Sequence, residues 1–410
     1  MNVAVAHPRL ILATVCAIAL MSTAGVAMPY PILAPIFVER APDGFNHFLA
    51  LPAKLLLGIA LAANPLGVLV GSSFVGALSD RLGRRRVLLG TLTLTFIGYG
   101  LTAVALSSKF YVLFVLTRFL TGLTEGNVPV ARAILADLHP VVDRSRSFAL
   151  LNAMLYMGWL VGPMIGGFTL PLGESVPFWL ASLAMLPCLA ILAWLLPETG
   201  MVAGGEHRPL WQLVREQHSF RLLGRDPLLA ALFWMQLAFA LGVNAFYDFY
   251  PVWLVEFAGF SSAGIALVTA GLCLVMSSAA GLVGQGRAGD ALQRARRHAA
   301  LFAGGLLLLS LTSGWPGIVL IVVIGLPLSL YNTLLPVWCS ERFDAFGQGS
   351  VMGLLSTIFC CAAVLISLFG SVLALFDTRL VMLLGGTTCL LATLRLGSLL
   401  QRARLAGDPT

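Results

Sequence analysis

Twelve apolar stretches, each about the length a helix needs to cross the ~30 Å hydrocarbon core of a bilayer, alternate along the chain with short polar turns. Cutting at charged or Pro/Gly-rich turns places them near 10–37, 53–78, 87–107, 111–135, 147–170, 177–196, 227–255, 263–284, 298–313, 316–338, 350–374 and 379–400. Only Thr312-Ser313-Gly314-Trp315-Pro316-Gly317 separates the ninth from the tenth. The cut stands because one helix over 298–338 would be about twice the necessary length. The first stretch is read as a span and not as a cleaved signal, because it is far longer than a signal's apolar region and contains Pro29, Pro31 and Pro35. The pattern predicts an all-α integral membrane protein with twelve transmembrane helices in two six-helix bundles. These are residues 1–197 and 227–410, joined by a polar cytoplasmic segment at 198–226.

Composition agrees. Hydrophobic residues make up 59% of the 410, charged residues 10%, and the mean hydropathy is +0.92, so a soluble domain of this length would expose extensive apolar surface. The net charge of +7 suggests nucleic acid until its placement is considered. The basic residues lie in short turns and not on one face, which points to membrane topology and to no nucleic-acid partner. With both ends on one side, that side holds Arg81, Arg84, Arg85, Arg86, Arg144, Arg294, Arg296, Arg297, Arg342 and others, against Arg40, Lys54, Lys109 and Arg379 opposite. The positive side is the cytoplasmic one, which puts both termini in the cytoplasm of a cell whose membrane is read as a bacterial inner membrane. Within 198–226, Pro209 to Leu223 alternates Leu/Trp with Arg/Gln/Glu, which fits either a short interfacial helix or a flexible linker. The seven cysteines all fall in apolar runs without ligand spacing and read as packing thiols. There is no phosphate-binding glycine loop, metal cluster or nucleophile-base pattern, so the chain reads as no enzyme and as needing no cofactor. Its energy source is expected to be an ion gradient.

Three motifs carry further information. Gly76-Ala77-Leu78-Ser79-Asp80-Arg81-Leu82-Gly83-Arg84-Arg85-Arg86 sets a fixed Asp and Gly spacing in the turn between the second and third spans. In the fourth span Arg118, Gly122, Glu125, Pro129 and Arg132 form one stripe, and three charges on one stripe cannot face lipid. In the fifth, Gly158, Gly162, Pro163, Gly166 and Gly167 give small residues every turn, with a proline that bends the helix. On these motifs the chain resembles the major facilitator superfamily over essentially its whole length, and within it the twelve-span drug/proton antiporter branch of multidrug and tetracycline efflux. The resemblance implies a cytoplasmic latch made by Asp80, Arg84 and Asp137, with Gly76, Arg81 and Gly83 shaping the turn. It also implies a role for Arg118 in proton coupling, and identifies the fifth-span glycines with the antiporter signature. One glycine of that signature is replaced here by Ala149.

Glu125 is a feature of this chain and is not carried over from the family. Together with Asp248, which sits among aromatics in Asn244-Ala245-Phe246-Tyr247-Asp248-Phe249-Tyr250, it is a candidate coupling carboxylate, since a desolvated carboxyl holds its proton to higher pH than a hydrated one. A structural salt bridge is the alternative reading for Glu125, and simple hydration near the outer end of its span for Asp248. Asn152, Tyr156, Trp234, Asn244, Tyr331 and Asn332 are candidate substrate contacts, although such residues more often pack helices. The resulting expectation is a monomeric, proton-coupled exporter of a drug-like or amphipathic small molecule, working by alternating access. The alternatives are a dedicated exporter of one endogenous metabolite such as a siderophore, a proton symporter for uptake, and a membrane sensor or scaffold on the same fold.

Overall fold

The computed structural model describes residues 8–125, 130–131, 134–135, 141, 144–195, 227–282, 291–343 and 348–405, and these contain helices and no strand. The main helices are α1 (Pro8–Ala27), α2 (Tyr30–Val38), α3 (Ala53–Leu82), α4 (Arg84–Ser107), α5 (Tyr111–Thr124), α6 (Arg144–Thr169) and α7 (Val176–Leu195). They continue with α8 (Pro227–Ala258), α9 (Ser262–Leu282), α10 (Ala291–Leu309), α11 (Trp315–Arg342), α12 (Gln348–Ala374) and α13 (Thr378–Leu405). Ten candidate spans among the described residues are long and apolar enough to cross a membrane, with α1 and α2 forming one of them. Two of the twelve expected spans account for the difference. α5 is described over 14 residues, with helix described again at 130–131 and 134–135 of the expected 111–135 span, and α10 carries Arg294, Arg296 and Arg297 in its first two turns, which lowers its hydropathy. The connecting segment 198–226 lies outside the described residues.

Polarity is arranged for lipid and not for water. Along α4, Leu94, Ile97, Leu101 and Val104 are exposed at helical spacing, whereas Thr91, Thr95, Tyr99 and Thr102 are buried. Thr91 and Thr102 return their hydroxyls to carbonyls one turn back, which satisfies them without water. The breaks follow local chemistry. α1 and α2 part at Met28-Pro29, because proline cannot donate to the preceding turn. α3 and α4 meet at Gly83, whose φ of 95° is open to glycine and strained for other residues. The motif glycine is therefore what lets the chain reverse in a single residue.

By contacts the chain forms two compact units. The first comprises Met1–Ile32, Pro42–Phe48 and Ala63–His218. Its helices pack at backbone distance: Gly158, Gly162 and Gly166 of α6 face Thr23, Ala24 and Met28, and any Cβ there would collide with that chain. Gly67 and Gly71 of α3 lie against Phe119, Gly122 and Leu123 in the same manner. An apolar core including Val15, Leu88, Leu92, Leu135, Leu151, Met185 and Leu192 fills the unit. The second comprises Leu33–Ala41, Leu49–Ala62 and Ser219–Thr410. In it α8 packs on α13 through Gly242 and Gly385, α10 on α13 through Gly386, and α9 on α11 through Gly325. Lys54 bridges to Glu256 at 2.6 Å and donates to the Ala374 carbonyl at 2.5 Å, while Thr378 donates to the other Glu256 oxygen at 2.6 Å.

Candidate functional site

The clearest polar constellation lies inside the first unit. Glu125 follows the last residue of α5, its N–H still bonded to the Thr121 carbonyl at 3.1 Å, so the carboxylate is held by the end of a helix. It is 7% exposed. Asn64 of α3 donates through Nδ2 to its Oε2 at 2.7 Å, and Tyr99 of α4 donates its hydroxyl to Oε1. Both oxygens are thus held by donors from two other helices. Gly25 of α1 leaves room for the phenol, since a Cβ there would fall 2.9 Å from the Tyr99 oxygen. Four helices therefore shape this one carboxylate. Close approach of α3 and α5 at Gly67 and Gly122 brings Asn64 within reach.

Arg118, nearly two turns back on α5, is 3% exposed. Its Nε and Nη1 have no hydrogen-bond acceptor, and it forms no ion pair with Glu125 among the described residues. The two charges share a stripe, as their spacing predicts, without neutralising each other by contact. A bare charge at this depth is costly, so each demands a purpose. Pro129 and Arg132 lie outside the described residues.

The second unit contains the other carboxylate. Asp248 is 6% exposed and accepts from the Ser367 hydroxyl of α12 at 2.6 Å, so it is buried and partnered, not hydrated at the end of its span. One turn earlier on α8, Asn244 spends its amide on the Ala240 carbonyl at 2.8 Å. Tyr331 of α11 is buried and donates to Gln236 at 2.5 Å, stacked on Phe239 with ring centroids 3.9 Å apart. Asn332 is half-buried beside it in sequence. Trp234 is 66% exposed, its ring edge-on to Phe233, and so is not gathered with Tyr331.

Of the motif residues, Gly76, Asp80 and Arg81 fall on the last turns of α3, with the side chains of Asp80 and Arg81 outside what the structure describes. Arg84 opens α4, and Arg85 donates to the Ala193 carbonyl near the end of α7 at 2.5 Å. Asp137 lies outside the described residues, as do the side chains of Asn152 and Tyr156 on α6. Pro163 sits inside α6, and Gly167 is buried next to the packed Gly166. Sequence reasoning singled out none of Asn64, Tyr99 and Ser367 as a site residue. The available signal was periodicity: Tyr99 lies on the buried threonine face of α4.

A multi-pass helical membrane fold with charged side chains sealed inside its bundles defines a class of proteins that move solutes or ions through their interior. The Major Facilitator Superfamily matches residues 10–359, and the chain belongs to that family, whose members are secondary transporters and not enzymes. It is similar to the class B tetracycline resistance protein of Escherichia coli, 32% identical over 180 residues, which are 43% of this chain and 42% of the relative. The chain thus aligns with about two fifths of that relative's length. A longer match, 26% identical over 369 residues, covers 83% of this chain and 84% of the class D tetracycline resistance protein of Salmonella ordonez. Among solved structures, the human organic anion transporter MFSD10 (TETRAN) superposes with a TM-score of 0.71 at 21% identity, covering 95% of this chain and 99% of that one. That likeness concerns the fold.

Proposed function

We propose that this protein is a proton-coupled antiporter that exports a small molecule by alternating access, with Glu125 as the carboxylate that carries the proton. The observation that carries this reading is the sealed Asn64–Glu125–Tyr99 cluster beside a buried Arg118. A carboxyl buried at membrane depth exchanges its proton only when the surrounding helices let water in. Its protonation is then tied to conformation, which is what coupling requires. Arg118 lies on the same stripe, seven residues back, and is as deeply buried. Asp248, with Ser367, is the second titratable group and is assigned a supporting role in the other unit. Asp80, Arg84 and Asp137 form the cytoplasmic latch, both termini face the cytoplasm, the division at 198–226 separates two bundles, and the chain works as a monomer.

Export is favoured over uptake by the glycine seam of α6 against α1 and by the likeness to the tetracycline resistance proteins. The test uses inside-out vesicles energised to an acidic interior, with a pH-sensitive dye and a panel of tetracyclines, lipophilic cations, organic anions and siderophores. Proton release on adding a substrate, absent in Glu125→Gln, is expected. Substrate-driven proton movement of unchanged size in Glu125→Gln would remove Glu125 from the mechanism. Co-accumulation of substrate with protons would establish uptake instead.

A further inference from the structure

We infer that Arg118 is the anchor for a negatively charged group of the transported molecule, so that the substrate is an organic anion bearing a carboxylate or similar acidic group. This rests on the reading of the chain as a small-molecule transporter and adds the chemical class of its cargo. A guanidinium cannot shed its charge, so burial at 3% exposure leaves it to find an anion or remain at high energy. The obvious intramolecular anion is Glu125, on the same stripe. Its two oxygens are instead held by Asn64 at 2.7 Å and by the Tyr99 hydroxyl, donors from α3 and α4, the first fixed by backbone-distance packing at Gly122 and the second by the phenol seated against Gly25. Arg118 Nε and Nη1 consequently retain N–H groups without acceptors. A buried donor left unmade costs more than a made bond returns, so a ligand that supplies the acceptor gains the difference.

The arrangement also explains how the anion and proton sites avoid each other. Glu125 and Arg118 are seven residues apart, about 10 Å along a helix, and the Glu125 oxygens already have their own donors in Asn64 and Tyr99. Under this scheme a cationic molecule of the same size meets an uncompensated positive charge.

The experiment uses three probes with one skeleton and different charges, 1-naphthoate, 1-naphthamide and 1-naphthylmethylammonium. Each is titrated against the full-length protein in lipid nanodiscs by intrinsic tryptophan fluorescence and by counterflow in proteoliposomes without a proton gradient. Naphthoate is expected to bind roughly tenfold or more tightly than the amide, as a hydrogen bond to a charged group implies, and the ammonium least of all. The preference should shrink in Arg118→Lys, vanish in Arg118→Gln and survive in the control Gly90→Ala, where an added Cβ meets nothing within 4 Å. Equal binding of the three, preference for the ammonium, no saturable naphthoate binding to the unmodified protein, or a preference untouched in Arg118→Gln would each overturn the proposal. Because the unmodified protein alone discriminates among the probes, a variant that misfolds does not decide the matter. Naphthoate binding without any proton coupling in vesicles would leave this inference standing while removing the antiport reading.

Discussion

Replacing Gly122 by alanine tests whether helix packing holds the Glu125 site together. Gly122 lies where α5 crosses α3, and a Cβ there would stand 3.1 Å from both the Asn64 carbonyl carbon and Gly67 Cα, with the Asn64 carbonyl oxygen nearer still. Unbonded carbons settle about 3.5–4.0 Å apart, so α3 must withdraw by roughly 0.4–0.9 Å at this crossing. The Asn64 Nδ2 to Glu125 Oε2 bond is now 2.7 Å. Added along that bond, the withdrawal stretches it to about 3.1–3.6 Å, at or beyond the useful range. Overpacking costs about 1–3 kcal/mol, and the weakened bond to a charged group a further 1–2 or so. Thermal unfolding of the purified protein in detergent should therefore fall by several degrees, and gradient-driven transport should weaken as Glu125 loses a donor. Gly90→Ala is the control, because nothing lies within 4 Å of a Cβ at that position. Alanine in an open helical site is neutral or slightly stabilising, by about 0.5–1 kcal/mol. A Gly122→Ala protein that melts with the Gly90→Ala control and keeps its gradient-driven transport would refute the packing argument.

Glu125→Gln removes the titrating proton at nearly constant shape, and is expected to reduce gradient-driven transport at least about tenfold while leaving substrate exchange without a gradient close to normal. Tracer flux in both modes checks this. The Lys54–Glu256 pair, each side chain about one fifth exposed, lies between an exposed pair worth under about 1 kcal/mol and a buried one worth about 3–5 when broken. A double-mutant cycle by thermal unfolding with Lys54→Met and Glu256→Gln should return a coupling of about 1–2 kcal/mol, and a value near zero would mean the pair is ornamental. Asp377, in the turn between α12 and α13, accepts from Arg379 at 2.7 and 3.1 Å, and that hydrogen bond holds its carboxyl below the ordinary carboxylate range. A depressed native value means the contribution is complete above the unfolded value of about 3.9 and is lost as pH falls through the native value. Asp377→Asn should therefore narrow the difference in stability between pH 6 and pH 3 that the unmodified protein shows; an identical difference in both would rule out the linkage.

The membrane class, the approximate span positions and the charged turn were legible in the sequence because they depend on local quantities. Burying a backbone in hydrocarbon forces helices of a set length, and a run of apolar residues records that requirement directly. The stripe that carries Arg118 and Glu125 was equally legible, since 3.6-residue periodicity is a property of one helix. The span count was less secure at α10, because a charged first turn lowers hydropathy without changing the fold class. Which partners each charge would find was not legible at all. Asn64, Tyr99 and Glu125 are up to 61 residues apart, and they meet because glycines on separate helices let the α3 and α5 backbones touch and leave room for the Tyr99 ring. Ser367 reaches Asp248 across 119 residues for a similar reason. A sequence states which groups must be neutralised inside the membrane; close packing of helices decides which ones are, and that left Glu125 satisfied and Arg118 still holding unused donors.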